Sequence, residues 1–473
     1  VLLLLALGTW TYFREYRGAA ERETAEQQRE RPVPFERTAV ASIRLDNAAG
    51  SFHLRREEEA WRLIEPLETA ADREAVEGLL SALEYARIER RIEAGGDLEG
   101  YGLAAPRATL TLEPGPDLPP RRLSIGAHAP VGDHCFALLP DDGGVALVSA
   151  SLEDLATKDL LSLRDRSLVD IDPWNVRNLR LERGAETVVL AKAGEGWTLQ
   201  SPVEAPADGP GVTDLLNEID RLRASAFLSE KPSADDLARF GLERPAARIT
   251  VGEDGDETGR TIRLGIAVEG GRAARAEGPV VTVPEAFWSK IAVPILDLRR
   301  KDLLALNRYR IHSMTIARQG GEALVLRRND GGGWDGSGLA SGTVENGPVD
   351  LLLGHLADLR ATAFVDRPSE GQRQALSERP DLDIELEEEP PADGGEPRLQ
   401  HLLIGPPDQN GQVKVRDPAW EPIALVPAGI HERMLRQLDA IIEEIARPGE
   451  AAGPAGGDPD PESDAPAAAD QPQ

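Results

Sequence analysis

The chain has 473 residues, 41% of them apolar, so it can build real cores, and at roughly 150 residues per domain it reads as about three domains. Its 53 Lys and Arg against 82 Asp and Glu give a net charge of −29, which argues against nucleic acid as a partner. The single cysteine, Cys135, excludes an internal disulfide framework and a Cys-rich metal site, and leaves packed cores as the source of stability.

Residues 1–13, VLLLLALGTWTYF, form an uncharged apolar run closed by Trp10, Tyr12 and Phe13, aromatics that suit a membrane interface. At about 1.5 Å per residue the run reaches roughly 20 Å against a bilayer core of roughly 30 Å. The chain begins with Val, which predicts an unusual start or further upstream residues that complete the span. The reading adopted is an uncleaved anchor. A cleaved signal peptide needs small residues at its end, and an internal core helix is the remaining alternative. Arg14, Arg17 and Arg22, taken alone, favour the orientation opposite to a periplasmic chain. Residues 14–33 are polar, of mixed charge and without an apolar stripe, and read as a solvated stalk.

From there one pattern occurs three times. Val40-x-x-Ile43-x-Leu45, Val176-x-x-Leu179-x-Leu181 and Ile311-x-x-Met314-x-Ile316 open the copies, and the last position recurs at a nearly constant interval. Trp61, Trp197 and Trp334 follow in the same phase. Pro66 and Pro202, then Asp72 and Asp208 as N-caps, lead into a predicted helix. That helix carries Leu79-Leu80, Leu215-Leu216 and Leu351-Leu352, with Leu83, Ile219 and His355 one turn on, a three-and-four spacing that faces a sheet.

Tyr101-Gly102-Leu103-x-x-Pro106 and Phe240-Gly241-Leu242-x-x-Pro245 come next, and the third copy keeps only Pro380. A strand is then predicted to end at Gly126, Gly265 and Gly405, again nearly evenly spaced. A closing strand leads into a second helix containing Leu152, Phe287 or Ile430. The predicted fold is α+β: three tandem copies of a mixed antiparallel-sheet unit with two helices each, following an N-terminal membrane helix. The predicted domains are 34–171, 172–306 and a divergent 307–447, followed by an acidic tail over 448–473 that is too poor in apolar surface to order.

No residue pattern names a reaction. His128, His134 and Cys135 cluster in GAHAPVGDHCF, but without a fourth ligand, in a Gly and Pro turn, they read as a hairpin rather than a metal site. Gly331 to Gly333 precede no Lys-Ser or Lys-Thr, and no G-x-S-x-G or H-E-x-x-H occurs. Glu385 to Glu389 lack the ligand spacing of an EF-hand and read as a solvated strand end and loop. Leu163-Arg164-Asp165-Arg166 and Leu298-Arg299-Arg300-Lys301 end the second helix of the first two copies; their cations complement a helix dipole, with a partner-facing basic patch as the alternative. The tryptophans read as core rings over the helix and sheet junction, each burying about 150 to 250 Å², with a glycan groove as the alternative.

Together the T-Y-F-x-E end of the apolar run, Glu58 to Pro66 as E-x-x-W-x-L-x-x-P, Tyr101 to Pro106, Ile125-Gly126 and Leu163 to Arg166 resemble the bacterial proteins carrying domain of unknown function 4340. The third copy departs, with DGSG after Trp334 and no Tyr-Gly-Leu, and reads as a degenerate copy or a capping domain. The resemblance implies no assigned enzymatic activity, no cofactor, and frequent association with a gliding-motility-type ABC transporter. The expectation is therefore a non-enzymatic protein of the bacterial inner membrane. It has one N-terminal span and a periplasmic bulk, and the permease or auxiliary subunit of an ABC transporter is its expected partner. A binding module for an envelope glycan is the alternative. Trp61, Trp197, Trp334, Gly126, Gly265, Gly405, Pro106 and Pro245 are structural signature positions in this reading, and no catalytic, cofactor or metal residue is assigned.

Overall fold

The computed structural model describes residues 30–92, 98–115, 118–140, 143–194, 196–256, 258–390 and 397–446. The anchor at 1–13, most of the stalk and the tail at 448–473 lie outside them. Among the described residues no helix is long and apolar enough to cross a membrane. The chain groups into two compact units, Val1–Glu186 with Leu215–Ala292, and Thr187–Asp214 with Val293–Gln473; each is described by itself.

Each copy of the repeat builds a nine-stranded antiparallel sheet. In the first copy the strands are β1 (Val40–Asn47), β2 (Gly50–Glu57), β3 (Ala60–Glu65), β4 (Thr69–Ala70), β5 (Ile88–Ile92), β6 (Ala108–Pro114), β7 (Arg121–His128), β8 (His134–Leu138) and β9 (Val145–Ser149). Their order is β4-β3-β2-β1-β6-β7-β8-β9-β5. Consecutive hairpins run outward on both sides of β1, and the helix between β4 and β5 carries the chain from one edge to the other. The second sheet, from β10 (Val176–Arg183) to β18 (Val280–Val283), and the third, from β19 (Ile311–Arg318) to β27 (Ile423–Pro427), have the same order. Three tandem α+β units are therefore present.

The helices are α1 (Arg73–Tyr85), α2 (Leu160–Leu163), α3 (Gly209–Asp220), α4 (Ala234–Arg239), α5 (Glu285–Ile291), α6 (Ile295–Leu298), α7 (Asn346–Ala357), α8 (Glu370–Glu378) and α9 (Ala428–Ala446), with a 3-10 helix at Ala150–Ala156. Two helices per copy is thus too few: the short α2 and α6 follow the second helix as separate turns in the first two copies, and α4 and α8 are further additions, each started by a Ser-led capping box, at Ser233 and Ser369. Asp72 caps α1 as expected, its side chain accepting from the Ala75 amide at 2.9 Å.

The apolar stripe of α1, Val76, Leu79, Leu80 and Leu83, is buried against the first sheet together with Trp61. The same face of α7 is Val349, Leu352, Leu353 and Leu356 around Trp334. This corrects the third copy by one position: Leu351 is 57% exposed, His355 lies on the flank, and the equivalent pair is Leu352-Leu353. The tryptophan sets the register, because Leu79, Leu215 and Leu352 each stand at the same separation from their own Trp. Trp61, Trp197 and Trp334 are 3%, 8% and 0% exposed, so the rings are core rings, and at about 25 cal/mol per Å² each contributes about 4 to 6 kcal/mol of burial.

A second correction concerns the glycines. The strands do not end at them: Gly126, Gly265 and Gly405 lie inside β7, β16 (Arg260–Val268) and β25 (Leu399–Pro407), each at a shift of register against the next strand. In the first two copies the bulge seats a turn. The carbonyls of Tyr101 and Phe240 accept the amides of Ala127 and Ile266 at 2.9 and 3.0 Å, which draws the Tyr-Gly-Leu turn onto the strand. A Cβ on Gly126 or Gly265 would stand 2.3 or 2.0 Å from that carbonyl oxygen. Pro106 and Pro245 follow the turn and set the entry of the next strand. Where the third copy has lost Tyr-Gly-Leu, the nearest atom to a Cβ on Gly405 would be the end of the Leu376 side chain, at 3.0 Å. Motif and glycine are two halves of one contact.

Candidate functional site

The most deeply buried cations of the described residues sit where one repeat passes to the next. At the first joint the chain leaves α2 through Leu163 and Arg164. The Leu163 carbonyl accepts the Asp72 amide at 2.9 Å, and Arg164 forms a bridge with Ala71, both on the repeat being left. Further along the linker, the Arg166 carbonyl accepts the Ala224 amide at 2.7 Å and Ser167 bridges to Arg223, both on the repeat being entered. The short linker from Leu163 to Ser167 is therefore bonded to both repeats.

The Arg164 side chain fastens this joint. It is 5% exposed, donates through Nη1 and Nη2 to the two Glu230 oxygens at 2.6 and 2.7 Å, and lies 3.4 Å from the Phe227 ring centroid. Phe227 is on β14 (Ala226–Ser229), an edge strand of the second sheet. Only arginine offers a planar fork for a bidentate carboxylate together with a flat face for a ring. The stacking alone is worth about 0.5 to 2 kcal/mol.

The second joint repeats the first. Asp208 donates its amide to the Leu298 carbonyl at 2.9 Å, Ala207 bridges Arg299, and the Lys301 carbonyl accepts the Ala361 amide at 2.8 Å. Arg299, 6% exposed, pairs with Asp366 and lies 3.6 Å from the Phe364 centroid on β23 (Ala363–Val365). The arginines expected to complement a helix dipole or to face a partner are thus withdrawn from solvent and join consecutive repeats. Sequence reading missed the acceptors because the step from ring to carboxylate differs between the joints, Phe227 to Glu230 in one and Phe364 to Asp366 in the other, so the acceptors do not align as a motif.

Beside the second joint is a cleft of ≈ 780 Å³ lined by Pro202, Ile295, Leu296, Phe364 and Pro422 among others. Its carboxylates include Asp366, engaged by Arg299, and Glu421, whose oxygen is 3.9 Å from Arg373. The third repeat closes differently. Helix α9 runs on to Ala446, where the earlier copies turn into the linker, and its Glu444 carboxylate accepts the Glu345 amide at 3.1 Å. This is the position of the Leu163 and Leu298 carbonyls on Asp72 and Asp208. Gly336 and Gly342 make room, since a Cβ on either would lie 2.7 or 2.9 Å from Ile445. The DGSG departure is therefore a seat for a capping helix.

The His128, His134 and Cys135 group does not converge. Cys135 is buried, its Sγ 3.7 Å from the Ser149 carbonyl, and burial pushes the thiol up to about 12. His128 Nδ1 is 2.8 Å from Glu153, which also accepts from Arg107 at 3.0 Å. Among the described residues no three His, Cys, Asp or Glu side chains are placed to hold one metal ion. In the acidic run Glu385 to Glu389, Glu388 is unexpectedly buried and accepts from Gln400 at 3.0 Å; the reading of a wholly solvated run is corrected there.

Burial works to raise the Glu153 carboxyl, but hydrogen bonds and charge from His128 and Arg107 outweigh it and hold the group below its ordinary range. A carboxyl lowered on folding stabilises the protein above its unfolded value, near pH 4.3, and that contribution fades as pH falls through the folded value. Glu153→Gln is therefore expected to lower the thermal midpoint at pH 7 and to converge on the parent in more acid solution. A pH-independent offset between the two melting curves contradicts this.

Residues 61–198 and 197–375 match the model of the family described as Domain of unknown function (DUF4340). The chain belongs to this family. The two matches span about two thirds of the sequence, and each starts at or beside a signature tryptophan and contains one arginine joint. The DUF4340 unit is thus offset from the sheet-by-sheet division and includes the passage between copies. No curated protein matches the chain. Among solved structures, a putative DNA polymerase III beta subunit from Eubacterium rectale is aligned at 9% identity over 83% of this chain and 92% of that one. Its TM-score of 0.14 carries no argument about fold or function.

Proposed function

We propose that this DUF4340 protein is a non-enzymatic, membrane-anchored component of the bacterial envelope, an accessory or interaction subunit of an ABC-type transport system. The observation that carries the reading is the joint. The deeply buried guanidinium groups of the described residues, Arg164 and Arg299, bind one repeat to the next. Each joint spends its buried charge on holding repeats rather than on chemistry, and a tether raises the local concentration of the repeats beside a membrane protein without any reactive group. In this proposal residues 1–13 supply the tether, the repeats lie on the periplasmic side, and the partner is the permease or an auxiliary subunit. The glycan alternative relied on Trp61, Trp197 and Trp334 lining a groove; rings this deeply buried leave it without that lining.

Gentle solubilisation of membranes followed by affinity purification on the tagged full-length chain is expected to recover transporter subunits. Recovery of the chain without any of them sinks the proposal. A reporter fused after residue 473 is expected to report the periplasmic side, and a cytoplasmic signal removes the placement.

A further inference from the structure

The two joints share an arginine stacked on a phenylalanine, but they differ in how far the guanidinium is satisfied. At the first, Glu230 takes both terminal nitrogens of Arg164, at 2.6 and 2.7 Å, and the cleft beside the stack measures only ≈ 170 Å³. At the second, Asp366 is shorter by a methylene and stands one residue nearer its ring. It accepts from Arg299 Nη1 alone, and Nη2 and Nε donate to no acceptor among the described residues. Arg299 is 6% exposed and lines the cleft of ≈ 780 Å³, a volume typical of ligand sites. A guanidinium withdrawn from water with donors left unmade is costly unless an acceptor reaches it.

The rest of the lining narrows what that acceptor belongs to. Val203, Ile295, Leu296 and Pro422 give the cleft apolar walls, and β23, an edge strand of the third sheet, runs along one side with Ala363 and Phe364. An edge strand offers its backbone to an extended chain, which favours a peptide over a compact metabolite or a lipid tail. Arg367, exposed and in no ion pair among the described residues, adds a second cation to the lining. Glu204 and Glu421 are exposed on the same lining, with Glu421 3.9 Å from Arg373. These two carboxylates disfavour a segment of several negative charges. A single carboxylate beside an apolar side chain fits.

We infer that the second joint is a peptide-binding site: an extended segment of a partner protein lays an apolar side chain against Leu296 and Phe364 and gives one carboxylate to the open nitrogens of Arg299. One guanidinium then holds the repeats through Asp366 and the Phe364 ring and recognises the partner with its remaining donors. A charge-assisted hydrogen bond in a cleft that excludes water is among the stronger contacts a peptide can make. The first joint, whose arginine gives both terminal nitrogens to Glu230, has no such opening. The site stands whether or not the partner is a transporter subunit.

The test titrates the full-length chain, by ligand-observed NMR, with acetyl-leucyl-leucine as the free carboxylate and with the same dipeptide as its C-terminal amide. The acid is expected to bind about tenfold more tightly than the amide, the advantage of a charged acceptor over a neutral one. Asp366→Glu, which lengthens the acceptor to that of the first joint, is expected to erase this preference and to leave the thermal midpoint at or above that of the parent. Equal binding of acid and amide by the parent, binding of neither, or a preference kept in Asp366→Glu overturns the inference. Tighter binding of octanoate than of the dipeptide overturns it as well, because a lipid carboxylate then takes the place of the peptide. The comparison of acid with amide is made on the parent chain, so it decides even if the variant fails to fold.

Discussion

Gly265→Ala is expected to lower stability by more than about 3 kcal/mol, the upper end of what overpacking costs, whereas Gly405→Ala should cost less than about 1.5 kcal/mol. The new methyl at 265 would stand 2.0 Å from the Phe240 carbonyl oxygen. That oxygen belongs to the backbone and cannot rotate away. It also accepts the Ile266 amide, so relief of the overlap withdraws the turn and breaks the hydrogen bond that holds Phe240-Gly241-Leu242 on the strand. At Gly405 the nearest atom is the end of the Leu376 side chain, at 3.0 Å, which has other rotamers. Urea unfolding of both variants measures the contrast. Equal small losses at the two sites contradict the close contact between Gly265 and the turn carbonyl.

Trp334→Ala carries the other large effect, about 3 to 5 kcal/mol. The ring is fully buried among Leu352, Leu353, Leu356 and Ile445, and the Arg328 guanidinium lies 4.8 Å from its centroid. Because α9 covers this site as well, the cavity loosens the capping helix together with the sheet, and loss of α-helical circular dichroism should accompany the drop in midpoint. Trp334→Phe should be much milder, since the indole Nε1 is buried without a hydrogen-bond partner and phenylalanine removes that unmet donor along with part of the ring. Alanine and phenylalanine variants of equal stability contradict the core role of the indole.

The repeated frame was legible because burial imposes it on residue type. A ring that must fill the same hole recurs at the same interval, as Trp61, Trp197 and Trp334 do, and a leucine on the following helix keeps a fixed distance from each ring. The α+β class and the closing strands followed from alternation. What stayed hidden depends on partners distant in sequence. Arg164 and Arg299 looked like exposed cations because Glu230 and Asp366 lie 66 and 67 residues away. Nor did spacing alone reveal that the last residue of the first strand bonds carbonyls of the second helix: Asn47 donates to Leu155 and Lys158 and Arg183 to Ile291, at the end of the helix, and Arg318 to Leu435, within α9. Different residue types fill one role, so similarity search passes over it. The glycines were found but misread as strand ends, since a bulge and a stop have the same local signature.

A repeat joined to its neighbour through a buried arginine leaves a thermodynamic signature that a merely adjacent pair of domains lacks. The direct measurement is a double-mutant cycle at each joint, Arg164→Met with Glu230→Gln and Arg299→Met with Asp366→Asn, read as unfolding free energy. Coupling of about 1 to 3 kcal/mol at both joints is predicted, as for contacting charged groups in one network. Coupling within about 0.3 kcal/mol of zero at both, the additivity expected of independent sites, would contradict the claim that these arginines hold the repeats together.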